Sequence, residues 1–188
     1  MIANIPNMVY LAPSNAEEYI AMLDWALDQD KHPVYIAIPS GPVVHAEGPV
    51  RTNFDALNTY EVTRKGSKVA VLALGDFYDL GEKTVEALSS TLGIEATLVK
   101  PYFASGVDQN LLDNLVKDHD VIVTIEDGII EGGWGQNIAS YLGTSPARVL
   151  NYGVKKAFYD RVNIADLMRE NHLDPELIAE DVKQVLDL

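Results

Sequence analysis

Short, uninterrupted apolar runs recur along this chain and are separated by segments in which apolar residues have helical spacing. The runs Val69–Leu74 and Val121–Ile125 are rich in β-branched residues, a pattern typical of strands covered on both faces. In Asp108–Lys117, by contrast, leucines recur three and four residues apart and share one helical face. Strands that alternate with helices predict an α/β fold, namely a three-layer sandwich with a mainly parallel sheet and right-handed crossovers.

The other elements follow from the same patterns and from residues that favour helix ends. Ser14, with Glu17 three residues later, forms a predicted capping box for a helix that runs to about Asp28. This helix is expected to bury Tyr19, Met22, Leu23 and Ala26. Further predictions are strands at 9–12, 33–39, 60–63, 96–99 and 148–152, a C-terminal helix cap at Gly93, N-caps at Asn163 and Asp174, and a first helical residue at Pro175.

The first 45 residues cannot form a stable unit alone, because one helix and two short strands leave their apolar faces uncovered. The apolar run Val34–Ile38 nevertheless has the composition of a buried strand. Either this region adds to the downstream sheet, or it belongs to a larger domain of which only the end is present, and we favour the second interpretation. The Gly- and Pro-rich segment 40–58 is then a linker between two bodies.

Composition excludes several classes of function. The 188 residues include no cysteine, which rules out disulfides, thiolate metal sites and cysteine nucleophiles. The formal net charge of −14 disfavours nucleic acid and anionic membranes as partners. There is no apolar run long enough to span a bilayer, and the first residues do not resemble a signal peptide, so a cytoplasmic location is expected.

Candidate chemistry is concentrated after the predicted strand that ends at Ile125. Glu126 and Asp127 come where this strand should end, and ligands of α/β sheets bind outside such ends. The glycines of GGWGQN (Gly132, Gly133 and Gly135) could present backbone amides to an anion at a helix N-terminus. A tight structural turn is the favoured alternative, because neither a complete GxGxxG nor a P-loop lysine is present. The four histidines have no ligand-like spacing and are expected on the surface or in loops.

Several motifs together resemble a known family over essentially the whole chain. They are IPNMVYLAPS near the N-terminus, TIEDGIIEGGWG at 124–135 and LNYG at 150–153. These segments resemble the C-terminal part of the 1-deoxy-D-xylulose-5-phosphate synthases, and the glycine segment is shared with transketolase-like enzymes more broadly. The resemblance implies three parts: residues 1–45 as the tail of a pyrimidine-binding domain, 46–59 as a linker, and 60–188 as a transketolase C-terminal domain.

The resemblance also implies a chemistry. These synthases condense pyruvate with glyceraldehyde 3-phosphate using thiamine diphosphate and Mg²⁺, and they are homodimers. In the family the metal ligands, the diphosphate-binding residues and the catalytic glutamate precede the part that this chain matches. The chain alone is therefore expected to bind no cofactor or metal, to contain no catalytic residue, and to act together with the rest of a synthase chain or with a catalytic subunit.

One family site falls inside the chain and is altered. An arginine pair in the family's RYPRG motif corresponds here to Ala37 and Ser40, and the second arginine helps to hold the acceptor's phosphate. A serine hydroxyl cannot replace a charged, bidentate guanidinium contact. The alternatives that follow are a diverged paralogue with another acceptor, a non-catalytic docking or dimerisation subunit, and a stand-alone domain that binds a small ligand or nucleotide.

Overall fold

The computed structural model describes residues 2, 5–38 and 41–188, which form seven strands and six α-helices in that part of the chain. A 3₁₀ turn at Gly75–Phe77 precedes the second helix. In chain order the elements are β1 (Val9–Leu11), α1 (Ala16–Asp28), β2 (Val34–Ile36), β3 (Glu61–Arg64), β4 (Lys68–Ala73), α2 (Tyr78–Leu92), β5 (Thr97–Lys100), α3 (Gln109–Leu115), β6 (His119–Ile129), α4 (Trp134–Tyr141), β7 (Arg148–Val154), α5 (Ile164–Glu170) and α6 (Pro175–Val185).

Five of the strands form the central sheet, in the order β3-β5-β4-β6-β7. All neighbours in it are parallel except β3, which pairs with β5 in the antiparallel sense at one edge. The two strongest apolar runs of the sequence lie side by side at its centre as β4 and β6. The predicted α/β fold with a mainly parallel sheet is confirmed.

Helices cover both faces of this sheet because successive side chains of each strand point to opposite sides. Val69 and Val71 of β4 pack with residues of α2 and α6, whereas Ala70 and Leu72 pack with residues of α3 and α4. The fully buried partners are Val85, Leu88, Ile178 and Val182 on the first face and Leu112 and Ile138 on the second. The three layers predicted from the alternation of elements are therefore present.

The N-terminal strands do not extend the central sheet. β1 and β2 form a separate parallel pair, and β1 touches the rest of the molecule through a bridge between Leu11 and Phe103. The alternative in which this region adds strands to the downstream sheet is wrong. Tyr35 and Ile38 are 40% and 69% exposed, so the expectation of a buried strand here is also wrong for these side chains.

Residues 41–58 contain neither helix nor strand, as the Gly- and Pro-rich composition predicts. The segment is nevertheless packed, because Phe54 is completely buried among the aromatic side chains of Trp25, Tyr102 and Phe103. The guanidinium of Arg51 lies over the Phe54 ring, 5.1 Å from its centroid, and its nitrogens donate to the backbone carbonyls of Asn53, Ala56 and Thr59.

The helix ends test the local sequence signals. Gly93 has the left-handed conformation of a C-cap, Asn163 and Asp174 accept hydrogen bonds as N-caps, and Pro175 opens α6. The predicted capping box is wrong by one residue. Asn15 caps α1 instead of Ser14 and accepts from the Glu18 amide, while the Ser14 amide donates to the Glu18 carboxylate at 2.8 Å.

The buried face of α1 also differs from the prediction. Met22 is buried as expected, but Tyr19, Leu23 and Ala26 are only half-buried. The buried positions around Met22 are Glu18, Ala21 and Trp25.

Candidate functional site

The acidic pair that was expected to follow a strand lies within it. β6 continues through Glu126 and Asp127 to Ile129, although its ladder with β7 is irregular between Ile125 and Ile129. Glu126 is only 6% exposed, whereas Asp127 points to solvent. The expectation that the strand ends at Ile125 is wrong because the carboxylate of Glu126 finds partners inside the protein.

Those partners are the first amides of α4. The amides of Trp134 and Gly135 donate to the two carboxylate oxygens of Glu126, each at 2.8 Å. Burial raises the pKa of Glu126, and the two amide donors act in the opposite direction. The amides that could bind an external anion are therefore occupied by a side chain of the same domain, as the helix dipole favours.

The glycines of the segment make this contact possible. A Cβ atom on Gly133 would lie 2.6 Å from a carboxylate oxygen of Glu126, and one on Gly135 would lie 2.4 Å from the Thr124 hydroxyl oxygen. Gly132 has a φ of +78°, which disfavours residues with a side chain. The geometry agrees with the structural-turn alternative for this segment.

A second carboxylate, that of Asp76, lies near Asp127 at the carboxyl ends of β4 and β6. Sequence analysis did not single it out. Partial desolvation, and then the charge of Asp127, raise the pKa of Asp76, which follows β4. Burial is the main reason that the pKa of Tyr10 is also raised, with the charge of Asp127 contributing. The only available signal was position, since Asp76 lies two residues after the apolar run Val69–Leu74.

The most completely buried ionic contact joins α1 to the central sheet, and sequence reasoning missed it. The ammonium of Lys100 donates to the Glu18 carboxylate at 2.7 Å and to the Ser14 hydroxyl at 3.0 Å. It also lies 4.0 Å from the ring centroid of Tyr78. The side chains of Glu18 and Lys100 are 2% and 14% exposed. Nothing local in the sequence predicts a pair separated by 82 positions.

One histidine departs from its predicted surface position. His119 is buried, and its two ring nitrogens lie 2.7 Å from the Thr97 hydroxyl and 2.8 Å from the Leu115 carbonyl. Because both nitrogens have partners, this ring ties β5 and α3 to β6 and has no free nitrogen for a ligand. Within the described ranges, no three His, Asp or Glu side chains converge as a metal site.

The altered phosphate position can be followed only in part. Ser40 lies outside the described residues. Ala37 is half-buried, and its amide donates to the Leu11 carbonyl at 2.9 Å, which ties the end of β2 to β1.

Three donor groups that could hold a diphosphate already have partners within the described residues. A diphosphate and its metal ion need oxygen ligands and backbone or cationic donors. The amides at the start of α4 are bound by Glu126, and the charged groups of Lys100 and Arg51 are engaged by neighbouring side chains and carbonyls. No step of a thiamine reaction is therefore assigned to these residues.

The described helices also include none that is long and apolar enough to cross a bilayer.

The fold is an α/β sandwich in which helices cover both faces of a mainly parallel sheet. Residues 58–180 match the family model described as "Transketolase, C-terminal domain". The chain therefore belongs to the transketolase C-terminal domain family.

Curated relatives refine this assignment. The chain is 29% identical to the 1-deoxy-D-xylulose-5-phosphate synthase of Clostridium tetani over 98% of its own length and 30% of that protein. It is 38% identical to the synthase of Pseudoalteromonas translucida over 82% of its length and 24% of that protein. The synthase of Chlorobium luteolum is 33% identical over 96% of the chain and 29% of that protein. The chain thus spans less than a third of the length of these relatives.

Solved structures show the same fold. One titled "Split gene transketolase, inactive beta4 tetramer" superposes with a TM-score of 0.79 and 24% identity, covering 100% of this chain and 60% of that chain. A transketolase variant from Pichia stipitis gives a TM-score of 0.72 at 16% identity, covering 96% of this chain and 25% of that one.

Proposed function

We propose that this chain is the C-terminal part of a thiamine diphosphate-dependent transferase that resembles 1-deoxy-D-xylulose-5-phosphate synthase. The proposed reaction joins pyruvate to glyceraldehyde 3-phosphate, releases carbon dioxide and yields 1-deoxyxylulose 5-phosphate for isoprenoid and thiamine precursor biosynthesis. The observation that carries the proposal is the chain-wide match to synthases, at 29% to 38% identity.

In this proposal the chain has three parts: residues 1–45 as the tail of a pyrimidine-binding domain, 46–59 as a linker, and 60–188 as the C-terminal domain. The match of the family model to residues 58–180 supports the last part. Thiamine diphosphate and Mg²⁺ bind to another part of a cytoplasmic, dimeric enzyme. The contacts of Glu126 and Lys100 hold this part of the enzyme in one shape rather than performing chemistry.

In this proposal the acceptor substrate can differ from glyceraldehyde 3-phosphate, because Ala37 and Ser40 stand where the synthases carry arginines. The Ser40→Arg variant of the intact protein tests this point. If the acceptor has diverged, the arginine should raise turnover of glyceraldehyde 3-phosphate by restoring a charged, bidentate phosphate contact. Ser40→Lys is the matched control, since it adds charge without that geometry. An unchanged rate in both variants would indicate that phosphate is held elsewhere.

A second candidate is a separate, non-catalytic subunit that docks onto a catalytic chain. The observation that favours it is the likeness to a structure titled as a split gene transketolase, of whose chain this one covers 60%. In such an arrangement this chain would supply only the C-terminal body of a two-chain enzyme.

Calorimetric titration of the intact protein with thiamine diphosphate in the presence of Mg²⁺ tests the main proposal. A saturable isotherm is expected, together with carbon dioxide release from pyruvate that depends on glyceraldehyde 3-phosphate. Absence of cofactor binding by the protein from the full open reading frame would contradict the assignment. Under the second candidate, binding and turnover appear only after the catalytic chain is added.

A further inference from the structure

A cavity of about 350 Å³ lies where the carboxyl ends of three strands come together. Its lining includes Pro13, Ile38 and Asp76, which come two or three residues after β1, β2 and β4. The ends of β1 and β4 approach so closely that a Cβ atom added to Gly75 would lie 3.2 Å from that of Ala12. Ligands of α/β sheets bind outside the carboxyl ends of strands. We call this space the strand-end cavity.

Most of the lining of the strand-end cavity is apolar. The helix α1 contributes Ala16 and Tyr19, and the segment after β2 contributes Pro42, Val43 and Val44. The Ala16 amide donates to the Val44 carbonyl at 2.9 Å, so a hydrogen bond within the chain fixes these two parts of the lining relative to each other. Apolar walls with a few polar groups are typical of sites that bind small molecules.

Both charged side chains in this lining are carboxylates, those of Asp76 and Asp79. Within the part of the chain that the structure describes, no lysine, arginine or histidine lines the cavity. The Lys83 ammonium donates to Asp79 at 2.5 Å and so pairs with that carboxylate. Partial desolvation, and then the charge of Asp127, raise the pKa of Asp76, which agrees with a site where water is scarce. The lining therefore favours uncharged groups over anions.

A second ammonium group, that of Lys100, reaches a lining residue and is also paired. It donates to the hydroxyl of Ser14 at 3.0 Å and to the buried carboxylate of Glu18 at 2.7 Å. Its charge is therefore balanced inside the protein. A phosphate in the cavity would meet apolar side chains and carboxylates, and transfer of an anion from water to such a place is unfavourable without charged or hydrogen-bonding partners.

The cavity is lined by residues on both sides of the altered phosphate position. Ile38 and Gly41 are the described residues that flank positions 39 and 40, and both line it. The family resemblance assigns the arginine that helps to hold the acceptor's phosphate to position 40, where this chain has Ser40. The missing arginine and the apolar, acidic lining have the same consequence, since both disfavour a phosphorylated acceptor.

We propose that the acceptor substrate of the intact enzyme is an uncharged aldehyde whose apolar chain lies in the strand-end cavity, against Ile38 and Val43. This inference rests on the proposed function, because the intact enzyme supplies the thiamine chemistry. In the balanced reaction, C2 of pyruvate forms a bond to the aldehyde carbon, and its bond to the carboxylate carbon breaks with release of carbon dioxide. The aldehyde oxygen takes up a proton, and the product is an unphosphorylated α-hydroxy ketone.

Carbon dioxide release by the intact protein, measured with pyruvate, thiamine diphosphate and Mg²⁺, tests the proposal with a series of acceptors. The series consists of glyceraldehyde 3-phosphate, betaine aldehyde, propanal, butanal and pentanal. The value of kcat/KM should rise by about three- to fourfold for each methylene group from propanal to pentanal, because each group leaves water for an apolar site. Pentanal should exceed glyceraldehyde 3-phosphate by about tenfold or more.

A charged residue in the lining should reverse this preference. In Val43→Arg, kcat/KM for pentanal should fall by about tenfold or more, and kcat/KM for glyceraldehyde 3-phosphate should rise because the guanidinium offers a phosphate partner. Ile164→Arg is the matched control, since Ile164 is 75% exposed, Val43 is 73% exposed, and Ile164 lies on α5 outside the cavity. Asp76→Asn should lower the KM for glyceraldehyde 3-phosphate by removing a like charge.

Saturation-transfer NMR of the intact protein provides a readout that does not require turnover. The unreactive alcohol 1-pentanol should receive saturation from the protein, whereas glycerol 3-phosphate should not. Val43→Arg should weaken the 1-pentanol signal, and Ile164→Arg should leave it unchanged. Thermal melts of each variant verify that the proteins are folded.

A preference for glyceraldehyde 3-phosphate, or a Val43→Arg protein that behaves like Ile164→Arg, would overturn the apolar acceptor and leave the proposed thiamine chemistry standing. A preference for betaine aldehyde, which carries a quaternary ammonium, would also overturn it and would indicate that the lining carboxylates select a cation. Failure to bind thiamine diphosphate, or to release carbon dioxide with any acceptor, would overturn the proposed function together with the acceptor. The two failures are therefore distinguishable.

Discussion

Replacing Lys100 with methionine should detach α1 from the central sheet. The lysine ammonium is the cationic partner of Glu18, whose side chain is 2% exposed. Methionine retains most of the aliphatic length of lysine and removes only the charge and the donors. The variant leaves a buried carboxylate that still accepts from the Ser14 amide and hydroxyl but has lost its counter-charge.

Removing one partner of a buried ion pair typically destabilises a protein by about 3–5 kcal/mol. Lys100 is slightly exposed, so the lower end of this range is the appropriate expectation, about 3 kcal/mol. With a urea m value of about 2–3 kcal/mol/M, the midpoint of unfolding should fall by about 1–1.5 M. The matched control is Lys83→Met. Its partner Asp79 lies 2.5 Å away, but both side chains are more than half exposed, so a change of about 0.5 kcal/mol or less is expected.

The two tryptophans report separately on α1 and on the central sheet, which the Lys100–Glu18 ion pair connects. Trp25 lies on α1 and donates to Asp55 at 2.9 Å, whereas Trp134 opens α4 against the sheet. Urea unfolding is monitored by fluorescence in the Trp25→Phe and Trp134→Phe backgrounds. In the Lys100→Met chain, the Trp25 signal should change at lower urea than the Trp134 signal.

A double variant completes the test. Glu18→Gln combined with Lys100→Met removes both charges, and it should be more stable than Lys100→Met alone because no uncompensated buried charge remains. If Lys100→Met is destabilised no more than Lys83→Met, and the two tryptophan signals still change at the same urea concentration, Lys100 does not hold α1 on the sheet.

Three further predictions concern single contacts. Glu126→Gln should destabilise the chain by about 1–3 kcal/mol, because an NH₂ group replaces one of the two oxygens that accept hydrogen bonds from the α4 amides. Hydrogen exchange at the Trp134 amide should accelerate, and unchanged exchange would contradict this role. Arg51→Lys should lower stability by about 1–3 kcal/mol through lost carbonyl contacts, measured by urea unfolding against the exposed control Arg64→Lys. The pKa of Glu17 is lowered to about 2, chiefly by the Ala46 amide, so its stabilising effect is complete above pH 4.5 and is lost as the pH falls towards 2. The stability difference between wild type and Glu17→Gln should vanish over that interval, and a constant difference would exclude the linkage.

Much of the fold could be predicted because its signals are local. The strands β4 and β6 follow from apolar runs that only a sheet covered on both faces can accommodate. The start of α6 follows from Asp174 and Pro175, since N-capping and the fixed φ of proline act within one turn. The family motifs in the same sequence then indicated the transketolase C-terminal domain, and the match over residues 58–180 confirms it.

The candidate site was predicted less well, because its contacts join side chains and amides of different elements. Glu126 looked like the end of a strand, since a carboxylate is unfavourable inside a sheet without partners. Its partners, the amides of Trp134 and Gly135, come close only because the glycines let α4 begin against β6. His119 was expected at the surface or in a loop because the histidines have no ligand-like spacing, and it is buried because Thr97 and Leu115 satisfy its ring nitrogens.

The elements, their alternation and the family could be predicted from the order of residues, because periodicity, helix caps and motifs depend on neighbours along the chain. The positions of the buried charged groups depend instead on how the layers pack. The ion pair of Glu18 and Lys100 joins residues 82 positions apart, and the buried carboxylate of Glu126 is satisfied by the first amides of the next helix. A buried charge is tolerated only with such partners, and which partners meet is set by the packing of the layers.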